Sequence, residues 1–381
     1  MKTFCRYFNE GACKSCDLIS FDYSRQIHFK EEELTRALGD LDHKLLPTVT
    51  KESTHFRNKA KLVVTGTLDN PIIGLWGEEN LDQGRELLHC PLHLDEINQM
   101  LPLIKSFIKE ALLPPYEIAQ RKGELKGVVI FYSETSKESY LRFILRSKES
   151  IDRIRKKATF LFDHIPSLTC LSVNLQPVPH ALLEGKEEIF ISERKTIKHE
   201  LQGIHFHLGP EAFVQTNQKV AVELYQTAAR WVEELKVSSF LELFCGQGAF
   251  SFFAAPHVSR SLGIEINPEA IKNAERTAKE LKFSHLRFKS ADAGDVKKEI
   301  EDFSPEVLLV NPPRRGLGEA LPLVLHSGVK ELIYSSCSID SLKKDLSELQ
   351  AKYEIKKIKI FDMFPQTRHF ETLVHLSYSG R

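Results

Sequence analysis

Phe240-Leu241-Glu242-Leu243-Phe244-Cys245-Gly246-Gln247-Gly248 is an apolar strand that runs directly into a glycine-rich turn. At Gly246 and Gly248 the backbone can approach a bound ligand closely, which a side chain would obstruct. About 20 residues further on, Glu265 ends the next apolar run, Ser261-Leu262-Gly263-Ile264-Glu265, where a carboxylate can accept both hydroxyls of an adenosine ribose. The turn continues Ala249-Phe250-Ser251, so serine stands where a dinucleotide fingerprint requires its third glycine. The pattern favours S-adenosylmethionine over NAD. Cys245 reads as a small packing residue.

Outward from this turn, short apolar runs alternate with helical patterns from about residue 206: 238–244, 261–266, 285–290, 306–310, 331–336, 358–364 and 372–378. Apolar spacings of three and four mark the intervening segments 267–282 and 338–350 as helices covering the sheet faces. The alternation predicts a doubly wound, largely parallel sheet, that is, an α/β Rossmann-like fold. The last two strands are joined by a loop alone, which predicts an antiparallel final strand. Before residue 206, strand-like runs at 61–67, 72–77, 127–133 and 140–146, with helices near 29–38, 93–110 and 148–158, predict a separate α+β domain. The expected division is therefore 1–205 and 206–381.

The 381 residues carry 52 basic and 52 acidic side chains, so any grip on nucleic acid must be local. Neither a signal-peptide core nor a run of 18 apolar residues occurs, and a cytoplasmic, membrane-free protein is expected. Seven cysteines without a secretion signal suggest metal ligands or catalytic thiols.

One such thiol is Cys337. It follows the apolar strand Glu331-Leu332-Ile333-Tyr334-Ser335-Ser336, which places it at the carboxyl edge of the sheet near a helix start, where a thiol can have a lowered pKa and attack as thiolate. Uracil chemistry needs such a thiol: C5 is a poor nucleophile, but thiolate addition to C6 turns C5 into an enolate carbon that accepts a methyl group. A base must then remove the C5 proton, and Glu371, before the final strand, is the candidate. Asn311, in Val310-Asn311-Pro312-Pro313-Arg314-Arg315-Gly316, lies at the same edge, where it can bind the cofactor's amino acid moiety or the substrate base.

Asn311-Pro-Pro-Arg-Arg-Gly, Tyr334-Ser-Ser-Cys and Asp362-Met-Phe-Pro-Gln-Thr-Arg-His-Phe-Glu together resemble, in order and approximate spacing, the bacterial RNA uracil-5-methyltransferases. The resemblance implies a class I methyltransferase fold, with Cys337 as nucleophile and Glu371 as proton-abstracting base. It further implies that Gln215, Phe244, Glu265 and Asn311 contact S-adenosylmethionine, with Asp292 a lesser candidate. One departure is that Ser338 and Ser341 stand where the family usually has Asn and Thr.

Cys5, Cys13 and Cys16 form C-x7-C-x2-C, and Cys90 precedes Pro91. Three grouped thiolates and a remote fourth suit a [4Fe-4S] cluster, although zinc also takes four cysteines. Among relatives, a cluster near the N-terminus resembles the 23S ribosomal RNA branch, and the absence of room for a preceding barrel resembles its smaller type. That implies 5-methyluridine formation in 23S rRNA, at uracil 747, by a monomer. For the RNA grip, Phe56 is a candidate stacking residue, and Arg57, Lys59, Lys61, Arg121, Lys122 and Lys126 are candidate phosphate contacts. Arg153, Arg155, Lys156 and Lys157 read as a solvated helix face. The alternatives are an RNA cytosine-5 or amino-group methyltransferase, which would not need the thiol of Cys337 for nitrogen attack, and a non-catalytic iron-sulfur RNA-binding protein.

Overall fold

The computed structural model describes residues 2–39, 44–76, 84–179 and 184–380. The chain forms two compact units, one of Met1–Ser20, Glu52–Glu200 and His207–Glu211, the other of Phe21–Lys51, Leu201–Phe206 and Ala212–Arg381.

The second unit is built on an eight-stranded sheet. Its order is Leu45–Val49, Tyr353–Phe361, Glu371–Tyr378, Glu331–Ser336, Val307–Val310, Ser239–Leu243, Arg260–Glu265 and Leu286–Ser290. Both ladders of Glu371–Tyr378 are antiparallel and its neighbours otherwise pair in parallel, as the loop-only connection predicts. Ser239–Leu243 and Val307–Val310 are buried along their whole length, which explains why they read as continuous apolar runs rather than alternating ones. The strand order reverses at Ser239–Leu243, which therefore has Arg260–Glu265 on one side and Val307–Val310 on the other. A crevice opens outside the carboxyl ends of the strands at such a switch point.

The boundary expected at 205 is corrected at the N-terminal end. The helix expected near 29–38 is Tyr23–Leu38, and it belongs, with the strand Leu45–Val49, to the second unit. Leu34 enters the apolar core of the eight-stranded sheet, and Leu45 and Val49 register against Ile358 and Phe361. Lys30 is fully buried in an ion pair with Asp362, 2.5 Å away, and also donates to the carbonyl of Phe364. Tyr23 donates its hydroxyl to the other oxygen of Asp362, and the side chains of Gln26 and Gln366 are hydrogen-bonded. These polar anchors tie the helix to the loop that leads into the last strand.

The first unit is α+β, as expected. Seven strands lie in the order Gly84–Glu86, Pro71–Trp76, Lys59–Gly66, Leu125–Ser133, Glu138–Leu145, Leu168–Leu175 and Glu187–Phe190. The helices expected near 93–110 and 148–158 are Asp95–Glu110 and Ile151–His164. Their apolar stripes, including Ile97, Leu101, Ile104, Ile154 and Leu161, fill the core against the sheet. Arg155 and Lys157 pair with Asp152 and Glu110 on the exposed side, in keeping with a solvated face.

Candidate active site

The apolar strand Ser239–Leu243 delivers Phe244 and Gly246 to the crevice with positive φ angles of 60° and 54°. Phe244 therefore holds a left-handed conformation that is strained for a bulky residue and that turns the chain sharply past the strand end. Nothing lies within 4 Å of where a Cβ on Gly246 would point, so its backbone borders open space. Gly248 differs from expectation: a Cβ there would strike the ring of Phe288, so this glycine serves helix–strand packing, not ligand approach.

Glu265 ends the neighbouring strand and its two oxygens accept from the backbone N–H groups of Gly246 and Asn267, at 3.1 and 3.0 Å. The first bond ties the carboxylate to the glycine turn, and a carboxylate has lone pairs left for further donors. Glu242, which sequence reasoning passed over as one more strand residue, is buried beneath the turn. Burial pushes its carboxyl up to about 8, against the hydroxyl and backbone N–H of Ser251 that it accepts.

A cavity of about 610 Å³ unites this edge. Among its lining residues are Gln215, Phe244, Glu265, Asp292, Asn311, Cys337 and Glu371, so the residues singled out as nucleophile, base and cofactor contacts share one space. Phe213, Ile266, Arg314 and Phe364, none of which had been singled out as site residues, line it too. Phe213 is 73% exposed and Ile266 65%, unusual for large apolar side chains. A planar ring entering the cavity would cover them.

Glu371 opens the last strand and is buried. Ser335 donates its hydroxyl to one carboxylate oxygen at 2.7 Å, while the other, Oε2, is buried without a hydrogen-bond partner among the described residues. Desolvation raises this carboxyl to about 7, against the opposing hydrogen bond from Ser335. A carboxylate with that value and a bare oxygen is suited to accept a proton near neutral pH.

Cys337 is half-buried between the strand Glu331–Ser336 and the helix Ile339–Leu349. The lowered pKa expected of a thiol at a helix start is corrected here. Burial and the nearby Glu371 raise it, and the guanidinium of Arg314, hydrogen-bonded to the thiol, works in the opposite direction. Ser338 caps the helix by accepting from the N–H of Ser341, and the Ser341 hydroxyl returns to the Ser338 carbonyl. The serine pair thus performs the capping that Asn and Thr can perform. Asp345, one helical turn on, accepts from the Tyr334 hydroxyl and the Leu317 N–H, anchoring the loop that carries Arg314.

In the first unit, Cys5, Cys13, Cys16 and Cys90 are neighbours of one core. Burial raises the Cys16 thiol to about 12, with further contributions from Cys90, Cys13 and Cys5, and the charge of Arg57 acts against them. The Cys90 sulfur accepts from the N–H groups of Leu92 and His93. No group of three or more His, Cys, Asp or Glu side chains among the described residues is arranged to hold a single metal ion.

The RNA candidates divide. Phe56 is buried in the core, so it cannot stack on a base from its position, and Arg57 faces the thiols of Cys16 and Cys90. Lys61 pairs with Glu184, and Lys59 lies over the Tyr140 ring with its pKa lowered to about 8 by burial. Lys126 is buried, donates to the Val178 carbonyl and sits over Tyr116. Arg121 and Lys122 are exposed.

The family model described as tRNA (Uracil-5-)-methyltransferase matches residues 22–379. A relative in Shewanella amazonensis, named 23S rRNA (uracil(747)-C(5))-methyltransferase RlmC, is 41% identical over 97% of this chain and 96% of its own. One of the same name in Photorhabdus laumondii is 39% identical over 98% of each. The crystal structure of Pyrococcus abyssi tRNA (uracil-54, C5)-methyltransferase in complex with S-adenosyl-L-homocysteine superposes with a TM-score of 0.79 at 24% identity, over 95% of this chain and 85% of that one, and so shares the fold.

Proposed function

The chain belongs to the tRNA (uracil-5-)-methyltransferase family, and from that premise we propose that it forms 5-methyluridine at uracil 747 of 23S ribosomal RNA with S-adenosylmethionine as methyl donor. The observation that carries this reading is the single cavity lined by Glu265, Cys337 and Glu371. Glu265 binds the ribose hydroxyls of the cofactor, Gln215 and Asn311 its polar groups, and Phe244, Phe213 and Ile266 its apolar surface.

Cys337, as thiolate, adds to C6 of the uracil, and the electron pair of the C5–C6 double bond moves towards O4. Arg314 favours the thiolate, against the burial and the Glu371 charge that together still leave the thiol pKa raised. C5 then bonds to the methyl carbon as that carbon's bond to the sulfonium sulfur breaks. The bare oxygen of Glu371 takes the C5 proton, the C5–C6 double bond re-forms, and the bond to the Cys337 sulfur breaks. Attack by an exocyclic nitrogen would leave both the thiol and the buried carboxyl without a task. A ribosomal RNA substrate is met in the cytoplasm, and one chain contains every residue this sequence of steps uses. No helix among the described residues is long and apolar enough to cross a membrane.

Cys5, Cys13, Cys16 and Cys90 are the residues that would hold a [4Fe-4S] cluster. Their mutual charge effects and the two N–H donors at Cys90 support this. Cys thiolates are the usual ligands of such a cluster, and these four would supply them. Bound there, it would cross-link the N-terminal segment to the Cys90 loop.

The test is to map 5-methyluridine in 23S rRNA from cells with the chain, without it, and with Cys337→Ala. Modification of uracil 747 should vanish in the last two. Its persistence without the chain, or with Cys337→Ala, would overturn the reading.

A further inference from the structure

Cys337 and Arg314 border a second cavity besides the one described, of about 470 Å³, and Glu371 and Glu265 are absent from its walls. Arg36, Lys343, Arg368 and His369 line it, with Glu33 and Asp340 as its acids. Arg36 comes from the last turn of Tyr23–Leu38 and Lys343 from the start of Ile339–Leu349, two helices that pack together. Counting Arg314, four permanent cations face two carboxylates, and Arg36, Lys343, Arg368 and Arg314 are all exposed.

The covalent step dictates what lies here. In uracil, C6 is bonded on one side to C5 and on the other to N1, which carries the ribose. With C6 at the Cys337 sulfur, C5 points to Glu371 and the cofactor, so N1, its ribose and the adjoining phosphates must extend to the opposite side of the thiol. The second cavity meets the thiol without including Glu371, and it is positively charged. We propose that this cavity is the phosphodiester site of the target nucleotide, with Arg36 and Lys343 neutralising the RNA phosphates that flank the extruded uridine. The inference rests on the function proposed above. It gives the Tyr23–Leu38 helix, held by the Lys30–Asp362 pair, a direct part in substrate binding.

The experiment uses the full chain with Arg36→Ala, Lys343→Ala and the double substitution, and, as a control, Lys272→Ala, an exposed lysine that lines neither cavity. Methylation of a 23S rRNA transcript spanning uracil 747 is followed with tritium-labelled S-adenosylmethionine across a salt series, and binding of the same transcript by fluorescence anisotropy. Each lost contact to single-stranded RNA should reduce the slope of log affinity against log salt by about 0.7. The double variant should therefore lose about 1.4 in slope and bind at least tenfold more weakly at moderate salt. Its kcat at saturating RNA and its affinity for S-adenosylmethionine should stay within twofold. An unchanged slope in the double variant, or one matched by Lys272→Ala, would overturn the proposal, as would a fall in kcat with unaltered RNA affinity. Failure of the wild type to methylate the transcript would count against the proposed function instead, and the anisotropy slopes would still decide the phosphate site.

Discussion

Replacing Glu371 by Gln should stabilise the protein while stalling it. The carboxyl is buried, and its pKa stands at about 7 against an ordinary 4.5. The folded chain thus binds this proton more tightly than the unfolded chain does. Stability linked to Glu371 is fully present below pH 4.5, is lost as the pH rises through 7, and stays lost above it. That difference corresponds to about 3 kcal/mol of cost at pH 8. Glutamine keeps the shape and can still accept from Ser335, but has no charge to desolvate. The variant should melt several degrees above wild type at pH 8, and the gap should close by pH 5. Differential scanning calorimetry at the two pH values measures this directly. Function should move the other way: without a base to take the C5 proton, RNA bearing the transferred methyl should remain bound to Cys337 and run as a tritium-labelled, denaturation-resistant complex on a gel. A variant that melts below wild type at pH 8, or equally above it at both pH values, would refute the assignment of a desolvated ionised carboxylate. Free turnover by the variant would mean that another base acts.

Glu265→Ala removes the acceptor for the ribose hydroxyls and should weaken S-adenosylmethionine at least tenfold, since charge-assisted hydrogen bonds contribute about 1.5–3 kcal/mol; calorimetry showing wild-type affinity would remove Glu265 from the site. Lys30→Met strands Asp362 as a buried charge and should cost about 3–5 kcal/mol in urea unfolding, much of it recovered when Asp362→Leu is added; a small loss with no recovery would mean the pair is not buried as described. Anaerobically purified protein should contain iron and sulfide, both lost in Cys90→Ala with little change in affinity for S-adenosylmethionine. Zinc in place of iron would argue for a different site.

Much of the site is legible along the chain because a parallel α/β sheet places the carboxyl ends of its strands at one edge. Gly246, Asn311 and Cys337 each follow a strand of the second unit and Glu265 ends one, so finding the strands was enough to bring these residues to one cavity. Glu371 reached the same place by the opposite rule. It begins an antiparallel strand, and the loop-only connection before it predicted that direction. What the chain could not reveal depends on partners distant in sequence. Lys30 reads as a solvated charge on an amphipathic helix, and only Asp362, 332 residues away, makes its burial tolerable and assigns the helix to the second unit. Phe56 and Lys126 stand in basic stretches that look like surface, yet the packing around them buries both. The ionisation of Cys337 is a balance of burial, Glu371 and Arg314 acting through space. Local sequence supplies the helix start, but the sign of that balance depends on distances across the folded chain, which only the tertiary structure decides.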